Sequence, residues 1–170
     1  MIVGVRVPPG APKNYLSKNT KSLYKYRMLH VITDVNDPLI ELLKDDPVRP
    51  EISAGDRVGT HKEILVTLAD DKPTAVVCVS YQDHIPEDVD GLVSHSSTED
   101  VAIFYTIWSY ALGAGRDMIF KAREHVEQTR PTVKRFVTLS PPTEMAKKFH
   151  LRNGAKVFRI NDGTVNYEYE

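Results

Sequence analysis

Ser140 is a polar residue at a position where a sheet could hold a reacting group. It follows residues 135–139, whose β-branched and aromatic side chains predict a strand, and it precedes Pro141 and Pro142. One interpretation is that Ser140 caps the next helix, with Pro141 at the first helical position. The other is that Ser140 faces a ligand, because the ends of sheet strands are common binding positions in α/β proteins.

His150 belongs to a short segment with helical spacing. Met145, Ala146 and Phe149 recur at helical intervals, and Asn153-Gly154 is a signal for the end of a helix. His150 would then lie in the last turn, where an imidazolium is stabilised by the helix dipole. Spacing alone therefore favours a capping or surface histidine over a catalytic one.

Tyr169 lies in the second of two stretches that predict a closing hairpin. These stretches, residues 156–160 and 164–169, flank Asp162-Gly163, a dipeptide that is typical of tight hairpin turns. Because side chains alternate along a strand, Tyr167 and Tyr169 should share one face of the sheet.

A glycine-rich turn, Gly113-Ala114-Gly115, separates an apolar stretch from an amphipathic segment, residues 116–128. A strand, a glycine-rich turn and a helix in this order can hold a phosphate on backbone N–H groups, with help from the helix dipole. The alternative is a tight connection without a ligand. No Gly-Lys-Ser/Thr follows and a third glycine is missing, so the turn is neither a Walker motif nor a dinucleotide fingerprint.

The elements that must position these residues form a predicted sheet. Residues 63–69 and 74–81 predict an antiparallel hairpin around the turn 70–73, and residues 101–108 predict a strand that is buried on both faces. Asp37-Pro38 predicts the start of a short helix. The remaining expectations are a strand at residues 1–7, a solvated face at residues 14–25, a strand or a short helix at residues 26–35, and a loop at residues 52–61.

The composition is that of an ordinary globular protein. The 22 lysines and arginines nearly balance the 23 acidic residues, so we expect no general attraction to nucleic acid or to an anionic membrane. The single cysteine, Cys78, excludes an internal disulfide and a site with several thiolates. We expect it to be buried and inert. Because no secretory signal and no apolar run of ~20 residues is found, we expect a cytoplasmic location.

The order of these elements resembles that of the GNAT acyltransferase superfamily, whose glycine-rich turn binds the pyrophosphate of coenzyme A. Within it, the chain resembles the catalytic domain of malonyl-CoA decarboxylase over about the last 70 residues, and more weakly over the hairpin at 63–81. The matching motifs are Ala102-Ile-Phe-Tyr-Thr-Ile107, Thr138-Leu-Ser-Pro141, Phe149-His-Leu-Arg-Asn-Gly-Ala155 with Arg159-Ile-Asn161, and Asn166-Tyr-Glu-Tyr169. The resemblance implies one α+β domain over residues 1–170, with a mixed, mostly antiparallel central sheet flanked by helices. Residues 63–170 would be its core and residues 1–60 its N-terminal part.

The resemblance also implies a site. Ser140 matches the family's active-site serine, His150 its catalytic histidine, and Tyr169 the second tyrosine of its Asn-Tyr-x-Tyr motif. The residues implied to bind coenzyme A are Tyr105, Thr106, Leu112, Gly113, Ala114, Gly115 and Arg116. The family's glutamate in the glycine-rich region has no match, since Gly113 lies there. Ser140 and His150 stand only ten positions apart, without the family's long insertion. The family's N-terminal helical domain also has no counterpart.

The implied reaction is the decarboxylation of a malonyl-like CoA thioester. Loss of CO₂ leaves an enolate, which needs hydrogen-bond donors at its oxygen and an acid for its carbon. Ser140 would orient the leaving carboxylate, and His150, whose ordinary pKa of ~6.5 allows a proton at neutral pH, would protonate the enolate. Tyr169 would be a second donor. We expect no metal, because the six histidines show no ligand spacing.

Two alternatives to decarboxylation belong to other functional classes. One is an acetyltransferase with an amine acceptor, which would need an open acceptor groove and a base such as Glu63 or Asp83. Ordinary acetyltransferases, however, carry a tyrosine where His150 stands and glutamine or arginine where Tyr110 stands. The other alternative is an inactive acyl-CoA-binding domain. A small-molecule acyl-CoA is the expected partner, and a homodimer is considered, while the acyl group and the acceptor stay open.

Overall fold

The computed structural model describes residues 27–93 and 96–170. These residues contain one seven-stranded sheet with the order β1-β2-β3-β4-β5-β7-β6. Its strands are β1 (Met28–Ile32), β2 (Lys62–Ala69), β3 (Lys72–Gln82), β4 (Val101–Ser109), β5 (Arg135–Thr138), β6 (Ala155–Ile160) and β7 (Val165–Tyr169). Only β4 and β5 pair in parallel, and the other neighbours are antiparallel. The predicted α+β domain with a mixed, mostly antiparallel sheet is confirmed.

Helices cover both faces of this sheet. They are α1 (Asp90–Val93), α2 (Ala114–Thr129), α3 (Glu144–Arg152) and two 3₁₀ helices, Pro38–Asp45 and Ala54–Arg57. Residues of α2 and α3 pack into a core on one face, and the apolar side chains of the Pro38–Asp45 helix pack on the other. Strand β4 contributes to both cores, as its continuous apolar pattern predicted. None of the helices in the described ranges is long and apolar enough to cross a membrane.

The expectations for the N-terminal part have different outcomes. The strand at residues 1–7 and the solvated face at residues 14–25 lie outside the described residues. The undecided stretch at 26–35 forms β1, and the side chain of Asp37 caps the Pro38–Asp45 helix as predicted. The loop expected at 52–61 contains the second 3₁₀ helix. The turn between β2 and β3 consists of Asp70 and Asp71 alone and is shorter than the predicted turn at 70–73. Both residues adopt positive φ, which is typical of a two-residue hairpin turn.

Strand β7 lies between β5 and β6 and joins the C-terminal hairpin to the rest of the sheet. Its pairing with β5 consists of two residue pairs, Phe136 with Tyr169 and Val137 with Glu168. Both carboxylate oxygens of Glu168 accept hydrogen bonds from the guanidinium of Arg135, at 2.7 and 2.9 Å. A short ladder, one forked ion pair and two hydrogen bonds, from Asn166 and Tyr167 to Thr138, thus attach the hairpin to β5.

A buried ion pair holds the segment before β2 against the sheet. The guanidinium of Arg57, which is fully buried, donates from Nη1 to Asp46 Oδ2 at 2.6 Å and lies 3.6 Å from Cys78 Sγ. Asp46 Oδ1 accepts from Thr106 Oγ1 on β4 and from the N–H groups of Val48 and Arg49. These contacts hold residues 46–57 against β3 and β4. Burial raises the pKa of the Cys78 thiol to about 12, in line with an inert cysteine.

Removing Asp46 should destabilise the domain strongly. In Asp46→Ala the buried Arg57 would lose its counter-ion, which costs roughly 3–5 kcal/mol in comparable buried pairs. Urea denaturation would measure the free energy of unfolding. Glu41→Ala is a suitable control, because Glu41 belongs to an exposed pair with Lys44 and should change stability very little. Equal effects of the two substitutions would contradict the anchoring role of Asp46.

Candidate active site

The site lies where strands β4 and β5 separate. Their parallel pairing ends at Phe104 and Thr138, followed by one hydrogen bond from Leu139 N to Phe104 O at 3.1 Å. On the other side of β4, Cys78 pairs with Thr106 and Val79 with Phe104, so Tyr105 is an extra residue in a β-bulge. A cavity of about 280 Å³ opens at this point.

The walls of the cavity come from four segments. Two are β4 and the residues that follow β5, the third is α3, and the fourth is the stretch between the two 3₁₀ helices. The lining residues are Pro47, Val48, Phe104, Tyr105, Thr106, Ile107, Leu139, Ser140, Pro141, Thr143, Met145, Ala146, Phe149 and His150. The wall is therefore mostly apolar, with a few polar groups that could orient a ligand.

Ser140 is held in an extended conformation by β7. Its N–H donates to Val165 O and its carbonyl accepts from Val165 N, both at 2.9 Å. The helix cap is Thr143 instead, whose Oγ1 accepts from Ala146 N at 3.1 Å. The N-cap interpretation of Ser140 is wrong, because its backbone is bridged to β7 and α3 begins only at Glu144.

His150 is buried between Ser140 and Tyr169. Its Nε2 lies 3.0 Å from Ser140 Oγ, and its Nδ1 lies 2.7 Å from Tyr169 OH. Its ring stacks on that of Tyr167, with the ring centroids 4.9 Å apart. The expectation of a surface or capping histidine is wrong, because only 4% of His150 is exposed in the last turn of α3. The structure brings together the three residues that the family resemblance assigned to catalysis.

Burial decides the charge of His150. The loss of solvent lowers the pKa of His150 to about 3, so the imidazole is neutral at physiological pH. The expectation that His150 holds a second proton at neutral pH is therefore wrong, since no carboxylate accompanies it to stabilise the imidazolium. Burial also raises the pKa of Tyr169, which keeps its phenol protonated. The array consists of neutral groups.

The hydrogen bonds of this array assign its protons. Ser140 Oγ donates to Thr138 Oγ1 at 2.8 Å, so its only proton is already used. His150 Nε2 must then donate to Ser140 Oγ, and Nδ1 must accept from Tyr169 OH. The protons point from Tyr169 through His150 toward Ser140, which is the reverse of a histidine that activates a nucleophilic serine.

The glycine-rich turn has an uncapped helix terminus. Gly113 has a φ of 74° and precedes α2, which has no side-chain cap, whereas Asp37, Ser53 and Thr143 cap other helices. Ala114 N donates to Ala111 O, but the N–H groups of the rest of the first turn have no acceptor within a helix. These groups can bind an anion. Leu112 and Arg116 are exposed beside them. None of the five turn residues lines the cavity, whereas Tyr105 and Thr106 both line it.

Neither candidate base of the acetyltransferase alternative lines the cavity. Glu63 is buried beside Tyr81, which donates to its carboxylate, and His125, whose Nε2 lies 2.8 Å from the same carboxylate oxygen. Burial alone would raise the pKa of Glu63, but these hydrogen bonds and the charge of Arg130 hold it below its ordinary value. Asp83 lies near the surface, 2.7 Å from His84. Within residues 27–93 and 96–170, no cluster of three or more His, Cys, Asp and Glu side chains could hold a metal ion.

Sequence reasoning missed two contributions to the site. Thr138 orders the hydroxyl of Ser140 and also accepts from Tyr167 N at 3.0 Å. It stands in the Thr-Leu-Ser-Pro motif, so its position could have been inferred. Pro47 and Val48 line the cavity from a segment that carries no chemical pattern, and no signal in the sequence points to them.

Comparisons with solved structures identify the fold. Malonyl-CoA decarboxylase from Rhodopseudomonas palustris matches with a TM-score of 0.67 and 18% identity, over 86% of this chain and 60% of that one. Malonyl-CoA decarboxylase from Agrobacterium vitis matches with a TM-score of 0.62 and 22% identity, over 72% of this chain and 35% of that one. The PaiA N-acetyltransferase of Thermoplasma acidophilum, solved in complex with coenzyme A, matches with a TM-score of 0.54 and 10% identity, over 84% of this chain and 99% of that one.

The domain has a GNAT-like fold similar to that of malonyl-CoA decarboxylases. The chain spans 35% and 60% of the length of the two decarboxylases, but nearly all of the length of the acetyltransferase. No protein-family model and no curated protein matches the sequence. The comparisons thus establish the fold.

The buried neutral His150 should make the domain sensitive to acid. Its pKa is lowered on folding, so its contribution to stability is complete above pH ~6.5, the unfolded value. That contribution is lost as the pH falls toward the folded pKa of about 3. The loss should approach about 1 kcal/mol per pH unit below pH ~6. Urea denaturation of the wild type and of His150→Gln between pH 7 and pH 5 would measure it. Parallel pH dependences in the two proteins would show that His150 is not buried in its neutral form.

Proposed function

We propose that the domain decarboxylates a malonyl-type CoA thioester. The observation that supports this function is the line of hydrogen bonds from Tyr169 through His150 to Ser140, which ends at the cavity between β4 and β5. Two of the structures with a similar fold are malonyl-CoA decarboxylases, and a third was solved with coenzyme A. The reaction needs an oriented carboxylate, stabilisation of an enolate oxygen and a proton for carbon.

The bond to the carboxylate breaks first. Its electron pair passes to the thioester, CO₂ leaves, and a thioester enolate remains. The hydroxyl of Ser140 turns its proton from Thr138 toward the carboxylate and orients the breaking bond. Backbone N–H groups near the bulge at Tyr105 and Thr106 are the donors for the enolate oxygen, because the separated strands leave this backbone open to the cavity.

The enolate carbon then takes a proton from His150. Nε2 gives up its proton, Nδ1 receives the proton of Tyr169, and water restores the phenol. The transfer along the array avoids a free imidazolate and a free imidazolium, both of which are costly in a buried site. The overall reaction consumes one proton and releases CO₂ and the shortened acyl-CoA.

Coenzyme A would lie across the glycine-rich turn. The N–H groups at the start of α2 would hold the pyrophosphate, with Leu112 and Arg116 beside it. The pantetheine arm would run along β4, past Thr106 and Tyr105, to the cavity. This path joins the exposed turn to the buried array, and it accounts for the uncapped terminus of α2.

An acetyltransferase of the same fold is the second candidate, on the strength of its structural neighbours. It would need a base to deprotonate an amine acceptor. The residues that line the cavity include no carboxylate, and His150 is already bonded on both nitrogens. The site therefore supports decarboxylation better than amine acetylation.

Conversion of malonyl-CoA is the direct test. Mass spectrometry of the CoA products should show acetyl-CoA, with or without added amines. His150→Ala should lower turnover by about 10²–10⁴-fold, since it removes the proton donor. The control is His84→Ala, because His84 lies near the surface beside Asp83 and should not affect turnover. Between pH 6 and pH 8 the rate should not show the titration of a histidine. Acetylated amines in place of free acetyl-CoA would favour the transferase, and CoA binding without turnover would favour an inactive binder.

The location of coenzyme A gives a second prediction. Gly113→Ala should weaken CoA binding by about tenfold, because the added Cβ would obstruct the approach of the pyrophosphate to the backbone N–H groups and a side chain is strained at a φ of 74°. Gly154→Ala is the matched control. Gly154 also has positive φ, 97° against 74°, and nothing lies within 4 Å of a Cβ added there. Calorimetry on both folded variants would separate the effects, and equal CoA affinities would exclude the turn as the binding site.

A further inference from the structure

The guanidinium of Arg123 lies over the ring of Tyr169, the residue at which the hydrogen bonds through His150 to Ser140 begin. Helix α2 places Arg123 above Phe136 on β5 and Tyr169 on β7, which are opposite each other in the sheet. Its Cζ is 5.1 Å from the centre of the Phe136 ring and 6.0 Å from that of the Tyr169 ring. At these distances a cation is attracted to an aromatic face. A positive charge therefore lies beside the phenol that gives up a proton in the proposed reaction.

The guanidinium of Arg123 has few polar contacts. Its Nη2 donates to the main-chain oxygen of Glu170 at 3.0 Å, and its Nε is buried without a hydrogen-bond acceptor among the described residues. The side chain of Glu170 pairs with Lys156 and not with Arg123. The contacts of Arg123 are thus the two rings and one main-chain oxygen.

The charge of Arg123 has its largest effect when Tyr169 loses its proton. A neutral phenol ring attracts a cation through its quadrupole, whereas a phenolate attracts it through a full negative charge. Burial raises the pKa of Tyr169, and the charge of Arg123 acts in the opposite direction. In the proposed reaction a phenolate exists from the transfer to Nδ1 of His150 until water restores the phenol. Such an anion is costly in a buried site without a nearby cation.

The other ionisable groups around Tyr169 do not counteract Arg123. His150, which contacts the phenol from α3, is neutral. The side chain of Glu168 points to the opposite face of the sheet, and that of Glu170 is exposed. Within residues 27–93 and 96–170, Arg123 is the residue whose charge acts on this phenol.

We propose that Arg123 is a positioning residue for the proton transfer, because its positive charge stabilises the phenolate that Tyr169 becomes when it reprotonates His150. This inference rests on the proposed decarboxylation, in which Nε2 of His150 protonates the enolate carbon. The O–H bond of Tyr169 breaks, an N–H bond forms at Nδ1, and the electron pair stays on the phenol oxygen. Arg123 does not line the cavity, so it acts through Tyr169 and not on the substrate.

The acidity of the phenol can be measured without any reaction. Replacement of Tyr169 by tetrafluorotyrosine gives a more acidic phenol, and fluorine NMR follows its titration at this position alone. In Arg123→Gln the pKa of this phenol should rise by about one unit, the size expected for one charge acting across a partly buried site. Arg123→Lys keeps the charge and should retain most of the lower pKa. Lys121→Gln is the control, because residues two apart on a helix do not share a face.

Turnover of malonyl-CoA by proteins with the natural Tyr169 gives the second measurement. Arg123→Gln should lower kcat by about tenfold, the rate equivalent of one pKa unit. KM and the affinity for CoA should stay at their wild-type values, because Arg123 acts on the proton transfer and not on binding. Arg123→Lys should restore most of kcat.

An unchanged phenol pKa in Arg123→Gln would overturn the proposal even if turnover fell, since Arg123 would then only tie α2 to the C-terminal hairpin. Equal losses of kcat in Arg123→Lys and Arg123→Gln would also overturn it. Arg123→Met, whose apolar side chain still covers the rings, serves if the glutamine variant does not fold, and the same rise in pKa is expected. A wild type that does not convert malonyl-CoA, alongside the expected rise in pKa, would refute the decarboxylase proposal but not the effect of Arg123 on Tyr169.

Discussion

The separation of β4 and β5 is the constraint on which the rest of this structure depends. Two neighbouring strands that stop pairing leave open backbone groups, and such groups are costly unless something satisfies them. The strands separate at the bulge of Tyr105, and the open backbone groups around it have three different partners. Ser140 pairs with β7, Arg49 takes up one carbonyl from each side, and the remaining backbone faces the cavity. The same defect in the sheet thus creates the binding space and recruits the polar groups around it.

The side chains on the two sides of this opening are held by different kinds of interaction. On the side of α3, Tyr169, His150 and Ser140 are neutral and buried, and each hydrogen bond fixes the direction of the next. On the opposite side, the guanidinium of Arg49 donates to one carbonyl from each strand, and the charges of Glu51 and Asp46 attract it. The opening is thus bordered by a neutral proton array on one side and braced by a guanidinium on the other.

Local patterns in the sequence predicted the sheet well and the site only in part. Strands β2, β3 and β4 and the helix cap at Asp37 follow from side-chain type and spacing, which act over a few residues. The state of His150 did not follow, because its burial depends on how α3 packs on β7. The cap at Ser140 was misjudged for a similar reason, since a partner on a distant strand outcompeted local helix propensity. Arg49 gave no signal, because only the tertiary fold brings residues 46–57 to the opening between the strands.

The joint between β5 and β7 has a consequence for how the domain could lose its chemistry. Its ladder consists of two residue pairs, and two further hydrogen bonds meet at Thr138, from Asn166 Nδ2 to its carbonyl and from Tyr167 N to its hydroxyl. The same hydroxyl accepts from Ser140 Oγ. Thr138 thus fastens the C-terminal hairpin and orders the serine of the proton array at one point. Any loosening of the hairpin would therefore reach the chemistry directly, without passing through the rest of the fold.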